Sequence, residues 1–221
     1  MVVVEQTIAD GEARADHRGA SRLEAFSDGV FAIATTLLVL DIKVPEVSGA
    51  DGALGAALLD QWPRYASYVL SFVTIGIVWA NHHRMFTLIG RTNHTFLILN
   101  VLYLMLVGVF PFPTALLSRY IGEVEYPNTQ QLVTLVYTGL SVLVSVMYGA
   151  VLFYASGRGN LLKKGANPAF VERMKRRSLV GLGVFTTVFA VGFLSVYLSL
   201  GLLCCMLVFY LLPAEWTGLD R

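Results

Sequence analysis

Arg22-Leu23-Glu24-Ala25-Phe26-Ser27-Asp28-Gly29 runs without a break into Val30-Phe31-Ala32-Ile33-Ala34-Thr35-Thr36-Leu37-Leu38-Val39-Leu40, and then meets Asp41. Twelve residues separate Asp28 from Asp41. As a helix they cover about 18–20 Å at ~1.5 Å per residue, against roughly 30 Å of hydrocarbon in a bilayer. A membrane-crossing reading therefore carries residues 22–28 into the protected region, or thins the bilayer locally. An isolated carboxylate there costs about 2.5–3.5 kcal/mol on insertion scales, so Asp28 needs partners. Spacing by three and four places Phe26, Gly29, Ile33, Thr36, Leu37 and Leu40 on one face, with Asp28, Phe31 and Thr35 opposite. By periodicity alone the apolar stripe reads as packing or lipid contact. The acid reads as turned toward neighbouring helices.

The rest of the chain asks for the same solvent. Of 221 residues, 56% are hydrophobic and 14% charged, where a soluble domain carries nearer a quarter charged. Apolar runs lie near 24–42, 65–84, 94–115 and 130–154, and a charge-free run extends from 178 to 214. One helix of that last length would exceed about 50 Å, so it divides into spans near 178–197 and 199–213, turning around 195–201. The expected fold class is all-α, a polytopic membrane protein of six transmembrane helices. Residues 1–21 form a polar tail, 22–214 the membrane domain and 215–221 a short tail. The segment 53–59 reads as a short interfacial helix. No cleavable signal peptide is evident, so the spans themselves direct insertion. Cys204 and Cys205 read as small packing residues, since adjacent cysteines staple nothing.

Basic residues orient the spans. With six crossings, the two tails and the loops near 85–93 and 155–177 share one side and hold thirteen Lys and Arg; Lys43, Arg64 and Arg119 lie opposite. The positive-inside rule then makes both termini cytoplasmic, in the cell's inner membrane. The basic stretch 163–177 reads as a topology anchor beside anionic lipid. A net charge of +1 offers no footing for nucleic acid.

A second polar cluster, Trp79-Ala80-Asn81-His82-His83-Arg84, closes the second span at the level of Arg22 and Asp28. Adjacent histidines on a helix point about 100° apart, which disfavours a shared metal. Zinc binding, pH sensing and a structural hydrogen-bonded cluster all remain open for it.

Arg22 with Phe26-Ser27-Asp28, leading into Gly29-Val30-Phe31-Ala32-Ile33-Ala34, resembles the signature of the endolysosomal potassium channel called transmembrane protein 175 and its bacterial relatives. Trp79 with His82-His83 is similar to the bacterial pattern. The resemblance implies a potassium-permeable cation channel assembled as a homotetramer, each subunit giving its first helix to a central pore. It makes Ile33 the main constriction, Leu37 and Leu40 further apolar rings, and Thr36 a hydroxyl layer linked to potassium preference. It also implies that Arg22, Ser27, Asp28, Trp79 and His82 or His83 form a network orienting the pore helix. Thr35, often aliphatic in relatives, lies on the network's side.

The expected function is passive conduction of potassium and other monovalent cations, restricted by an apolar collar that blocks ions by dewetting. Without a Thr-Val-Gly-Tyr-Gly filter, selectivity is expected to be weak; without an arginine ladder, voltage should not gate it. The alternative is a proton-coupled secondary transporter using Asp28 with His82 and His83 as a relay, although inverted repeats and broken spans are not evident. An enzyme is not expected, because no nucleophile or metal set accompanies these residues. No cofactor is expected; the partners are the permeant cations, other copies of the chain and membrane lipid.

Overall fold

The computed structural model describes residues 2–46, 53–122 and 127–211, with side chains from residue 18 onward. Eight α-helices account for nearly all of it: α1 (Val2–Leu37), α2 (Ala53–Asp60), α3 (Trp62–Phe86), α4 (His94–Val109), α5 (Pro111–Tyr120), α6 (Pro127–Ser156), α7 (Pro168–Gly192) and α8 (Val196–Leu211). No strand occurs among the described residues. The segments 18–41, 94–120 and 127–156 are long and apolar enough to cross a membrane, and α8 is a shorter apolar helix. Helices α3 and α7 match them in reach at 25 residues each, but α3 carries Arg64 and Arg84 near its ends and α7 carries Arg173, Arg176 and Arg177 in its first half. The expected tail 215–221 and most of the loop before α2 lie outside the described residues.

The helix boundaries follow local chemistry. Helix α1 is unbroken for 36 residues, so the expected polar tail is a continuation of the first span's helix. No proline occurs before Pro45 to interrupt it. It tightens into a 3-10 turn at Leu38–Asp41 and leaves it through extended backbone at Ile42. The run expected over 94–115 is two helices. Pro111 lacks the N–H that α4 would need, yet suits the first position of a new helix, so α5 starts there and continues to Tyr120. Helix α7 begins ten residues before the expected 178. The Asn167 side chain accepts from Ala169 N at 2.9 Å, and Pro168 opens the first turn. Most of the basic stretch read as loop is thus helical. The α7–α8 turn falls at residues 193–195, where the Gln131 amide donates to the carbonyls of Gly192 and Phe193 at 3.2 and 2.8 Å. These are carbonyls that the end of α7 leaves without helical partners.

Helix α6 is the central post, packing on α4, α5, α7 and α8. Its Tyr137 is fully buried against Phe110, edge to face at 5.8 Å. The buried hydroxyls around it are paired: Thr114 Oγ1 donates to Ser71 Oγ at 2.8 Å, and Ser71 Oγ to Tyr137 Oη at 3.1 Å. This satisfies groups that would otherwise be costly to bury.

The loops after α3 and α6 are stitched together. Gly90 N donates to Leu161 O at 2.9 Å and Lys163 N to Leu88 O at 2.8 Å. The Arg91 guanidinium holds Asn160 O through Nε at 3.0 Å and Nη2 at 2.8 Å. Asn160 itself sits at φ 47, in the left-handed region that asparagine tolerates better than most residues. Gly90 faces Lys163 so closely that an added Cβ would lie 3.0 Å from its Cα and 3.2 Å from its N. Gly90→Ala should therefore cost about 1–3 kcal/mol by overpacking. Thermal unfolding in detergent checks this; an unchanged midpoint would mean that the loops separate freely.

Candidate pore face and its polar support

Helix α1 divides lengthwise. Ala20, Leu23, Ser27, Phe31, Ala34 and Leu38 are buried, a three- and four-residue rhythm that seats this face against α3 and α4. The other face is left bare: Phe26 is 56%, Ile33 61%, Leu37 43% and Leu40 63% exposed, with Gly29 and Thr36 also exposed between them. The structure thus brings the four sequence-predicted pore residues onto one surface that their own subunit does not cover. Thr36 Oγ1 donates back to Ala32 O at 2.9 Å and Ile33 O at 3.0 Å. Its proton is committed to the helix, and the oxygen lone pairs are left for an outside donor or cation. Thr35 does the same on the other side, to Phe31 O at 2.9 Å and Ala32 O at 3.0 Å. It bonds its own helix and not the polar cluster.

The remaining predicted residues fall into two separate arms. In the part-exposed arm, Trp79 Nε1 donates to Asp28 Oδ1 at 2.9 Å. His83 stacks on Trp79 at 5.8 Å, and its Nδ1 pairs with Glu24 Oε1 at 3.1 Å. This arm ties α1 to α3. The buried arm passes through a residue that the sequence reading overlooked. Ser27 Oγ donates to Leu23 O at 2.8 Å and accepts from Asn100 Nδ2 at 3.0 Å; Asn100 Oδ1 meets His82 Nε2 at 2.9 Å. Because the Ser27 proton goes to Leu23, the amide nitrogen must be the donor to Ser27, so the amide oxygen accepts from His82 Nε2–H. His82 Nδ1 is then a bare lone pair, buried without a hydrogen-bond partner.

Aromatic rings enclose that imidazole: Phe86 at 4.6 Å, Phe31 at 5.4 Å, and Tyr103 at 5.4 Å and nearly parallel. His82 and His83 thus serve different arms, on different sides of α3. No three His, Cys, Asp or Glu side chains gather at metal-binding distance among the described residues. Arg22 joins neither arm: its side chain is exposed and bonds no described residue. At the far end of α1, Ser118 Oγ of α5 donates to the Asp41 carboxylate. The pore-candidate segment is therefore held over residues 24–28 and again at Asp41, each time by side chains outside the bare stripe.

Two of the missed residues left a signal. Asn100 is the lone amide in the apolar run 95–109, and a polar side chain in such a run is expected to find a polar partner. Glu24 lies one turn before Asp28 on the same side of the helix. Ser118 had no distinguishing pattern.

Comparison with known proteins bears on this arrangement. The family model for the endosomal/lysosomal potassium channel TMEM175 matches residues 22–111, the segment that holds both arms and the bare stripe. A Chamaesiphon minutus protein named as a potassium channel is 40% identical over 190 residues, covering 86% of this chain and 91% of that one. One from Streptomyces collinus, similarly named, is 42% identical over 180 residues, covering 81% and 85%. The crystal structure of a lysosomal potassium-selective channel TMEM175 homologue from Chamaesiphon minutus superposes with a TM-score of 0.75 at 36% identity, covering 86% of this chain and 95% of that one.

Proposed function

The chain belongs to the TMEM175 potassium channel family, and from that premise we propose that it conducts potassium and other monovalent cations passively through a pore lined by α1. The functional unit is a homotetramer of six-span subunits in the cell's inner membrane, with both termini cytoplasmic. Helices α1, α3, α4 continued by α5, α6, α7 and α8 are the six spans. Membership in this family makes it an ion channel and not an enzyme.

One observation carries the pore assignment. The face of α1 holding Ile33, Thr36, Leu37 and Leu40 is bare in the subunit, while the opposite face is fixed by hydrogen bonds to α3, α4 and α5. A helix anchored by its back can present a fixed front to an axis of symmetry. Around that axis, copies of Ile33, Leu37 and Leu40 form apolar rings narrow enough to exclude water and so raise the barrier to ions. Copies of Thr36 place hydroxyl oxygens one turn past the Ile33 ring, where they replace part of an ion's hydration shell. Side-chain hydroxyls give fewer and less rigid ligands than a carbonyl filter, so the preference for potassium over sodium is weak. In this reading Ser27, Asp28, Trp79, His82 and His83 position the pore helix and do not touch the ion.

Purified protein in potassium-loaded vesicles should release potassium down its gradient, at a rate unaffected in direction by an imposed proton gradient. Vesicles that hold their potassium would sink the proposal. Potassium moved uphill at the expense of protons would replace it with exchange through Asp28 and the histidines.

A further inference from the structure

We propose that the bundle holds a binding site for one anionic lipid, its phosphate among Arg84, Arg173 and Arg177 and one acyl chain inside the subunit. The inference rests on the reading of this chain as membrane-spanning, and on no assumption about conduction. A cavity of about 230 Å³ opens between α3, α4, α6, α7 and α8, remote from the bare face of α1. Its lining is mainly apolar, with Ile77, Val144, Phe185 and Met206 among the side chains. The three arginines line it as well. Arg173 and Arg177 are one turn apart on α7, so they point the same way; Arg84 sits in the last turn of α3.

Three guanidiniums on one cavity need counter-charge, and no described carboxylate supplies it. The two ion pairs among the described residues are His83–Glu24 and Lys175–Glu172, so no described carboxylate pairs with any of the three. Guanidinium is the side chain that grips phosphate in a two-pronged fashion. The cavity also contains an unanswered polar group: Tyr103 is fully buried, lines this space, and its hydroxyl has no hydrogen-bond partner. An ester carbonyl entering with a lipid chain is an acceptor of the kind that hydroxyl lacks. Pockets that enclose a whole drug-sized molecule run to roughly 300–1,000 Å³. The smaller volume here suits one chain inside, with the headgroup held at the arginines and the rest of the lipid outside. An anion with an apolar tail fits both halves; a zwitterion loses the charge match and a free anion leaves the apolar half empty.

The test is retention of phosphatidylglycerol by the purified full chain, read by native mass spectrometry in detergent, with phosphatidylcholine, a fatty acid and inorganic phosphate as separate competitors. Wild type should retain phosphatidylglycerol at least about tenfold better than phosphatidylcholine, and inorganic phosphate should not displace it. The double variant R173Q/R177Q, and separately Ser145→Leu, which fills the cavity while leaving every arginine, should each lower retention about tenfold. Arg176→Gln, on the neighbouring exposed face outside the cavity, should leave retention unchanged. Equal retention of the two phospholipids overturns the proposal, as does R176Q acting as strongly as R173Q/R177Q. Displacement by phosphate alone would reassign the arginines to a free anion, and displacement by fatty acid alone to a single-chain carboxylate. Wild-type lipid retention in a preparation that passes no potassium would sink the channel reading and leave the lipid site standing. Helical circular dichroism of each variant separates lost binding from lost folding.

Discussion

Ile33→Asn should raise potassium conductance about tenfold, the change expected from removing ~1.4 kcal/mol of barrier. The barrier in an apolar collar comes from water leaving a ring of hydrocarbon that an ion cannot cross dry. Asparagine is close to isoleucine in reach but offers two donors and an acceptor, so the same ring would hold water. The position is favourable for such a test. Ile33 is 61% exposed in the subunit, and the substitution disturbs no core packing within it. A control belongs on a different bare surface: Leu179, on α7, is 56% exposed, and Leu179→Asn should leave conductance unchanged. Single-channel recording or vesicle flux decides the matter. An unchanged current in the Ile33 variant would move the constriction off this stripe; a rise in both variants would mean that bilayer disturbance, not pore wetting, is being measured.

The second large effect concerns stability. Asn100→Leu deletes two buried hydrogen bonds and strands His82 Nε2–H beside an Nδ1 that already lacks a partner. Each lost bond is worth about 1 kcal/mol, and an orphaned buried donor costs about 1–3 kcal/mol more. The sum, about 3–5 kcal/mol, should lower the midpoint of thermal unfolding in detergent by roughly 6–20 °C for a chain of this size. Trp79→Phe removes the indole bond to the Asp28 carboxylate and should cost about 1.5–3 kcal/mol, the range for a hydrogen bond to a charged group. The informative variant is the double one. In H82F/N100L neither side retains an unmatched polar group, and most of the loss should be recovered, since removing both partners of a buried bond is nearly neutral. A double variant no better than Asn100→Leu alone would mean that the amide stabilises by something other than pairing. A Trp79→Phe loss larger than that of Asn100→Leu would make the part-exposed arm the principal tether.

The helical wheel of residues 26–40 held most of what the structure displays along α1, because the requirement that divides it is local. Three- and four-step spacing separates the Ile33–Leu40 stripe from the side of Phe31, and the structure seats the Phe31 side on the bundle and leaves the stripe bare. The partners of Asp28 were harder to read. Arg22 is the obvious cation within two turns, yet it stays outside both arms, and Asp28 is served by an indole 51 residues away. Pairing of that kind is decided by how α3 packs on α1, which no periodicity in either helix encodes. His82 and His83 look like one motif in sequence and belong to different arms, since a 100° step between neighbours sends them to different sides of α3. The break at Phe110 was legible in principle from Pro111 and Pro113. Apolar character continues past both, and the hydrophobic run concealed the boundary.

The stitch between the loops after α3 and α6 also sets a timetable for synthesis. Arg91 and Asn160 are 69 residues apart, so at about 5–20 residues per second the first loop waits roughly 3–14 s before its partner is made. During that interval the early hairpin must remain in the membrane with its clasp open, exposed to quality control. Residues 88–91 should therefore be the segment of a nascent chain most open to proteases, and the arrival of residues 160–163 the event that closes it.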